Sequence, residues 1–224
     1  MKVTLYGHMI VDKIFDGFKQ TVSIGGIANV WHAIIKMNNK INVELSPCSF
    51  GEALIIVDKN SNSRIGRAVF DLRKNEIKIV DSEWSHIAYA NQIENVDFIS
   101  KLNSKYISVD LSKESPEKVL KIINYVDFLF MSEEDLFMDF DEIRKLCKGY
   151  VICHTPNGSL YGDKNIKKRY EIPKNLLLNN VNVLGAGDMF AGCFISNFLN
   201  GLDIDNCIID SHKQTSYLIK YNNQ

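Results

Sequence analysis

The amino-acid sequence predicts an α/β fold in which a mostly parallel central sheet is covered by helices. Three observations predict it. Four short apolar runs of strand length, between Ser85 and Cys153, are separated by longer stretches whose apolar residues recur at helical spacing. A block from Glu52 to Val80 departs from that rhythm and is expected to form a β-meander. A glycine turn, Gly185-Ala186-Gly187, opens a strongly apolar helical stretch near the C-terminus.

Taken in order, Lys2–Tyr6 is expected as the first strand. Gly25-Gly26 then interrupts the chain before Ile27–Met37, whose apolar residues Ile27, Val30, Trp31, Ile34 and Ile35 fall at helical spacing. Within the meander, the strand-like runs are Ala53–Val57, Ile65–Phe70 and Glu76–Val80, separated by Asn, Ser, Lys and Asp. The alternating part has strands at Ser85–Ala88, Tyr106–Val109, Val126–Phe130 and Tyr150–Cys153, with helices around Ile93–Leu102, Pro116–Ile123 and Asp139–Cys147. Pro116 suits the first turn of a helix, where its missing N–H costs nothing. A short β segment at Ser159–Tyr161 and helices at Asp188–Leu199 and Ile204–Ile219 complete the pattern. No repeat, linker or low-complexity segment interrupts it, so residues 1–224 are expected to form one domain.

The chain has 224 residues, 46% apolar, with 26 basic and 27 acidic side chains and a formal net charge of -1. A domain of this size buries roughly 70% of its unfolded surface. Lys and Arg are spread along the chain, which gives no footprint for nucleic acid or an anionic membrane. Met189–Leu199 is about half the ~20 residues needed to cross a bilayer, so no membrane span is expected. Val3–Gly7 is too short for a signal sequence, and a cytoplasmic location is expected. The cysteines Cys48, Cys147, Cys153, Cys193 and Cys207 are odd in number and form no C-x-x-C pair, which argues against a disulfide framework or a zinc site. They read as small buried hydrophobes. The histidines His8, His32, His86, His154 and His212 lack metal-ligand spacing and read as surface or core positions. The run Lys167-Lys168-Arg169 reads as a solvated edge.

The segment Asn182–Phe190 carries the most chemistry. Small residues at a helix start leave backbone N–H groups outward, and the helix dipole adds partial positive charge there, which makes an anion hole. Asp188 stands at its rim. A tight turn with an acidic first-turn residue is the structural alternative.

These residues resemble the C-terminal signature D-T-x-G-A-G-D-x-F of the ribokinase-like (PfkB) family of sugar and nucleoside kinases, matched by Gly185-Ala186-Gly187-Asp188 and Phe190. That family also opens with a strand ending in glycine, an aspartate, a G-G pair and an asparagine. Gly7, Asp12, Gly25-Gly26 and Asn29 follow in that order. Phe128–Asp135 resembles the family's N-x-x-E segment, and Cys153–Gly158 its T-L-G-x-x-G strand and turn. The resemblance implies a three-layer α/β/α ribokinase-like domain with ATP and Mg2+ as cofactors. It further implies that Asp12, Gly25, Gly26 and Asn29 hold the substrate and that Asp188 acts as base. Gly185, Ala186 and Gly187 are then the anion hole, Cys153, Thr155 and Gly158 lie near the nucleotide, and Ser132 and Asp135 handle the metal. The implied reaction is ATP-dependent phosphorylation of a hydroxyl on a small sugar or sugar-like molecule. The alternatives are a nucleoside acceptor, or a non-catalytic sugar-binding module of kinase-like fold.

The departures carry information too. Ser132 and Asp135 replace the family's asparagine and glutamate, and Cys153 and Thr155 its threonine and glycine. Asn182 and Leu184 stand where many relatives place monovalent-cation ligands, so potassium activation is not expected. Only twelve residues separate Asp12 from Gly25, which implies a reduced β lid, supplemented by the Glu52–Val80 meander or by a second subunit in a homodimer. The compact form and Ser132 look most like the fructosamine (fructoselysine) kinase branch.

Overall fold

The computed structural model of the chain describes residues 1–58, 63–70, 76–112, 116–178, 181 and 183–222. In chain order the strands are β1 Lys2–Asp16, β2 Lys19–Gly26, β3 Asn42–Asp58, β4 Ser63–Phe70, β5 Ser82–Ile87, β6 Ser104–Asp110, β7 Phe128–Ser132, β8 Tyr150–Thr155, β9 Gly158–Gly162 and β10 Lys167–Glu171. The α-helices are α1 Ile27–Met37, α2 Pro116–Ile122, α3 Phe140–Leu146, α4 Ala186–Leu199 and α5 Ile204–Asn222. The contacts divide the chain into two compact units. One comprises Met1–Gly7, Lys40–Ser46 and Ile77–Glu171, the other His8–Asn39, Pro47–Glu76 and Ile172–Gln224.

In the first unit the strands lie in the order β10-β9-β8-β7-β6-β5-β1-β3, with β1 and β3 contributing their N-terminal parts. The β1–β5, β5–β6, β6–β7 and β7–β8 pairs are parallel, and β9 and β10 add antiparallel at the edge. Both faces of the central parallel strands are covered: in β7 the successive residues Phe128, Leu129, Phe130 and Met131 are all buried, as are Val151, Ile152 and Cys153 in β8. Trp84 stacks on Phe128 at 5.0 Å between ring centroids, while its indole N–H donates to Ser108 Oγ at 2.7 Å. The basic run 167–169 forms the exposed edge strand β10, whose charges discourage pairing with another chain.

Two expectations in this unit are corrected. Glu76–Val80 forms no strand; its backbone is held from the side, with Val80 N donating to Tyr6 Oη at 3.1 Å. Ile93–Leu102 is not an α-helix; it holds one 3-10 turn, Asp97–Lys101, and another, Ala90–Gln92, precedes it. The Asn95 carboxamide accepts from Asp97 N at 2.8 Å and so competes with a continuous helix.

In the second unit β1 continues to Asp16 and turns at Gly17, where φ is 58°, into antiparallel β2. The expected first strand, Lys2–Tyr6, is therefore only the opening third of β1. The residues between Asp12 and Gly25 form this hairpin, and the C-terminal part of β3 pairs antiparallel with β4. Period-2 alternation sorts their faces. Ile14, Ala53 and Ile55 are buried together, whereas Val22, Ile24, Leu54 and Ile56 face outward. Helices α1, α4 and α5 pack together in the same unit, with Ala33, Met189, Cys193, Leu218 and Ile219 in one buried cluster. Gly192 makes the α1–α4 approach possible, since a Cβ there would lie 2.6 Å from the Val30 carbonyl oxygen. Between α4 and α5 the Asn197 and Gln214 amides exchange hydrogen bonds of 3.0 and 3.2 Å. Among the described residues no helix is long and apolar enough to cross a membrane.

Candidate active site

The second unit brings together most of the residues singled out for acceptor binding and catalysis. Asp12 lies in β1, buried, opposite Ser23 of β2. Its carboxylate crosses diagonally over Gly25: a Cβ on Gly25 would sit 2.1 Å from Asp12 Oδ2. Glycine is needed there because the carboxylate occupies the space. Gly26 is needed for two reasons. Its φ is 66°, in the left-handed region, and a Cβ would meet the His8 carbonyl oxygen at 2.2 Å. The two glycines thus deliver the chain from β2 directly into α1, whose first turn carries Asn29.

Asp188 lies in the first turn of α4, 2% exposed. A carboxylate suits this end of a helix because the first-turn N–H groups have no intrahelical acceptor and carry partial positive charge. Gly185 is the N-cap, with φ 76°. Among the three N–H groups expected to face an anion, that of Ala186 instead donates to Val183 O at 3.1 Å. The N–H of Gly187 belongs to the first turn, as does that of Asp188 itself. Asn29, expected to face substrate hydroxyls, donates from Nδ2 to Asp188 Oδ2 at 3.0 Å. Leu184 packs against the Ile14, Ala53 and Ile55 cluster, as an apolar side chain should, while Asn182 lies outside the described residues.

The residues expected near nucleotide and metal belong to the first unit. Ser132 ends β7 and donates its hydroxyl to Asp135 Oδ2 across the 3-10 turn Glu133–Asp135. Among the described residues no group of three or more His, Cys, Asp or Glu side chains is arranged to hold a metal ion. The donors at this turn are nonetheless hard oxygens. Such a set fits Mg2+, which keeps several waters and takes only one or two carboxylates besides phosphate oxygens. Cys153 pairs with Met131 in the sheet and is buried. Burial pushes its thiol up to about 12, and the negative charges of Glu133 and Asp135 push the same way. Cys153 is therefore a neutral packing residue beneath the acidic turn. Thr155 closes the β8–β9 hairpin, donating to Gly158 O at 3.3 Å and accepting from Asn157 N at 3.2 Å. Gly158 has no room for a side chain, because a Cβ would lie 1.9 Å from Tyr170 O.

His8, read from the sequence as a surface or core position, is a core one, buried and hydrogen-bonded to Ser49 across β1 and β3.

The second unit thus holds a buried aspartate in the first turn of a helix, behind a left-handed glycine. The fold is the three-layer α/β/α ribokinase-like one. It is shared by the crystal structure of the Methanocaldococcus jannaschii nucleoside kinase (TM-score 0.71, 22% identity, 98% of this chain and 91% of that one). It is shared also by ribokinase from Thermotoga maritima (TM-score 0.70, 16% identity, 97% and 92%) and by adenosine kinase from Sinorhizobium meliloti (TM-score 0.74, 14% identity, 98% and 94%). The model of the pfkB family carbohydrate kinases matches residues 85–221, and the chain belongs to that family. In sequence it is 25% identical over 118 residues to the M. jannaschii nucleoside kinase, a match covering 50% of this chain and 38% of the length of that protein.

Proposed function

We propose that the chain, acting as one kinase domain, transfers the γ-phosphoryl group of ATP to a hydroxyl of a small sugar or sugar-like acceptor. The observation that carries this reading is Asp188: a buried carboxylate in the first turn of α4, behind a left-handed glycine. A non-catalytic module has no use for a base there. In this reading Asp12 holds acceptor hydroxyls, its carboxylate seated over the bare backbone of Gly25. Asp188 takes the proton from the attacking hydroxyl as its oxygen bonds to the γ-phosphorus and the bond from that phosphorus to the β–γ bridging oxygen breaks. ADP leaves with the bridging oxygen. Because the transition state is loose, an ordinary carboxylate suffices as base, and positioning supplies most of the rate. The N–H groups of Gly185, at the N-cap, and Gly187, in the first turn, stabilise charge on the moving group, a kind of contribution typically worth about 3 kcal/mol per donor.

Mg2+ would neutralise phosphate charge when bound. Ser132 and Asp135 would hold its water shell, and the hairpin at Cys153–Gly158 would shape the nucleotide side. The outward apolar residues Val22, Ile24, Leu54 and Ile56 support a homodimer, which light scattering tests.

The similarity to a nucleoside kinase favours a second reading in which the acceptor is a nucleoside. A coupled ADP-release assay across ketoses, aldoses, fructosamines, polyols and nucleosides separates the two. A sugar with the highest kcat/KM supports the first, and a nucleoside above every sugar selects the second.

A further inference from the structure

We propose that Asn29 is a positioning residue for Asp188, a role that rests on Asp188 being the base. Asn29 lies in the first turn of α1. Asn29 is not the N-cap of α1, which is Gly26, so its amide is not spent on a helix end. It reaches across to α4 instead, and Nδ2 donates to Asp188 Oδ2 at 3.0 Å.

Two glycines make that bond possible. At Gly185 a Cβ would lie 2.6 Å from Asn29 Nδ2 and 3.1 Å from its Cγ, so the absent side chain is the slot in which the amide lies. At Gly192 the absent side chain lets α4 approach the carbonyl of Val30, the residue next to Asn29. The approach of the two helices is thereby set within about one turn of the bond itself. Burying a carboxylate costs free energy unless it is hydrogen-bonded, and bonds to a charged acceptor are the stronger kind. Asn29 thus does two things at one atom: it offsets the burial of Asp188 and holds Oδ2, which fixes the plane of the carboxylate relative to the incoming hydroxyl. This differs from a hydroxyl-holding role, in which the Asn29 oxygen would accept from the acceptor.

The variants Asn29→Asp and Asn29→Ala distinguish the roles, assayed with the best acceptor of the panel alongside Asp188→Asn. Asn29→Asp keeps an accepting oxygen in the same place but removes the N–H donor and adds like charge. The expected result is a loss of about 10- to 100-fold in kcat for both Asn29 variants, with KM for the acceptor within about threefold of wild type. Asn29→Ala adds no charge, so it reads the same loss even where Asn29→Asp disturbs folding. Wild-type kcat in Asn29→Asp would overturn the proposal. A tenfold rise in KM with kcat intact in Asn29→Ala would also overturn it, and would make Asn29 a substrate-holding residue. Full turnover in Asp188→Asn overturns it by a separate route, since the base assignment beneath it then fails.

Discussion

Gly25→Ala isolates the packing of Asp12 against bare backbone. The new Cβ would stand 2.1 Å from Asp12 Oδ2 and 3.0 Å from its Cγ. An ordinary carbon–oxygen contact is about 3.3 Å or longer, so the carboxylate has to retreat by roughly 1 Å. Gly25 does not have a left-handed φ, and its backbone accepts alanine. The substitution therefore tests the side-chain slot and not the turn. A misplacement of ~1 Å in a binding group costs up to about 100-fold, and loss of a hydrogen bond to a charged group costs about 1.5–3 kcal/mol. Steady-state kinetics on the preferred acceptor should give a 10- to 100-fold loss in kcat/KM. Calorimetric titration should show weakened acceptor binding, as it should for Asp12→Asn. Thermal melting should change little. An acceptor KM within threefold of wild type in a folded Gly25→Ala protein would refute the reasoning.

Three further outcomes follow from the same packing. Gly192→Ala forces its methyl into the Val30 carbonyl and Ala33 Cβ, at 2.6 and 2.7 Å, and should destabilise the protein by about 1–3 kcal/mol in denaturant titration while lowering kcat through the displaced α1. Burial holds His86 down at about 3, with Nδ1 against Ser108 Oγ at 2.8 Å. A folded-state value below the unfolded one means stability present above pH ~6.5 that is lost as pH falls toward 3, at about 1.4 kcal/mol per pH unit; His86→Asn should flatten that acid limb in melts between pH 6 and 4. Activity should require a divalent ion but not potassium, because Leu184 is packed into an apolar cluster. Many-fold stimulation by potassium over sodium would count against this.

Strands β7 and β8 were legible because they carry unbroken apolar runs between turn residues, Phe128–Met131 and Val151–Cys153. Helix α1 was legible to its boundaries, since Gly26 and Asn38 bracket an apolar period. The antiparallel strands were less so. His8–Asp16 alternates buried and exposed positions too irregularly to extend the first strand, and Glu76–Val80 has strand composition but pairs with no strand among the described residues. At the site, glycines 25, 26 and 185 were visible as motif letters. Their physical reasons were not, because what fills the missing side chain's place comes from Asp12, His8 and Asn29, which the sequence places 13, 18 and 156 residues away. The Asn29–Asp188 bond joins two residues 159 apart in numbering, and no local pattern announces it.

The most direct test of the account is turnover by Asp188→Asn, measured as acceptor-dependent ADP release together with acceptor affinity by calorimetric titration. General-base removal is expected to cost about 100- to 10,000-fold in kcat while acceptor binding stays near wild type. A variant that keeps more than about a tenth of wild-type kcat would contradict the assignment of Asp188 as the base.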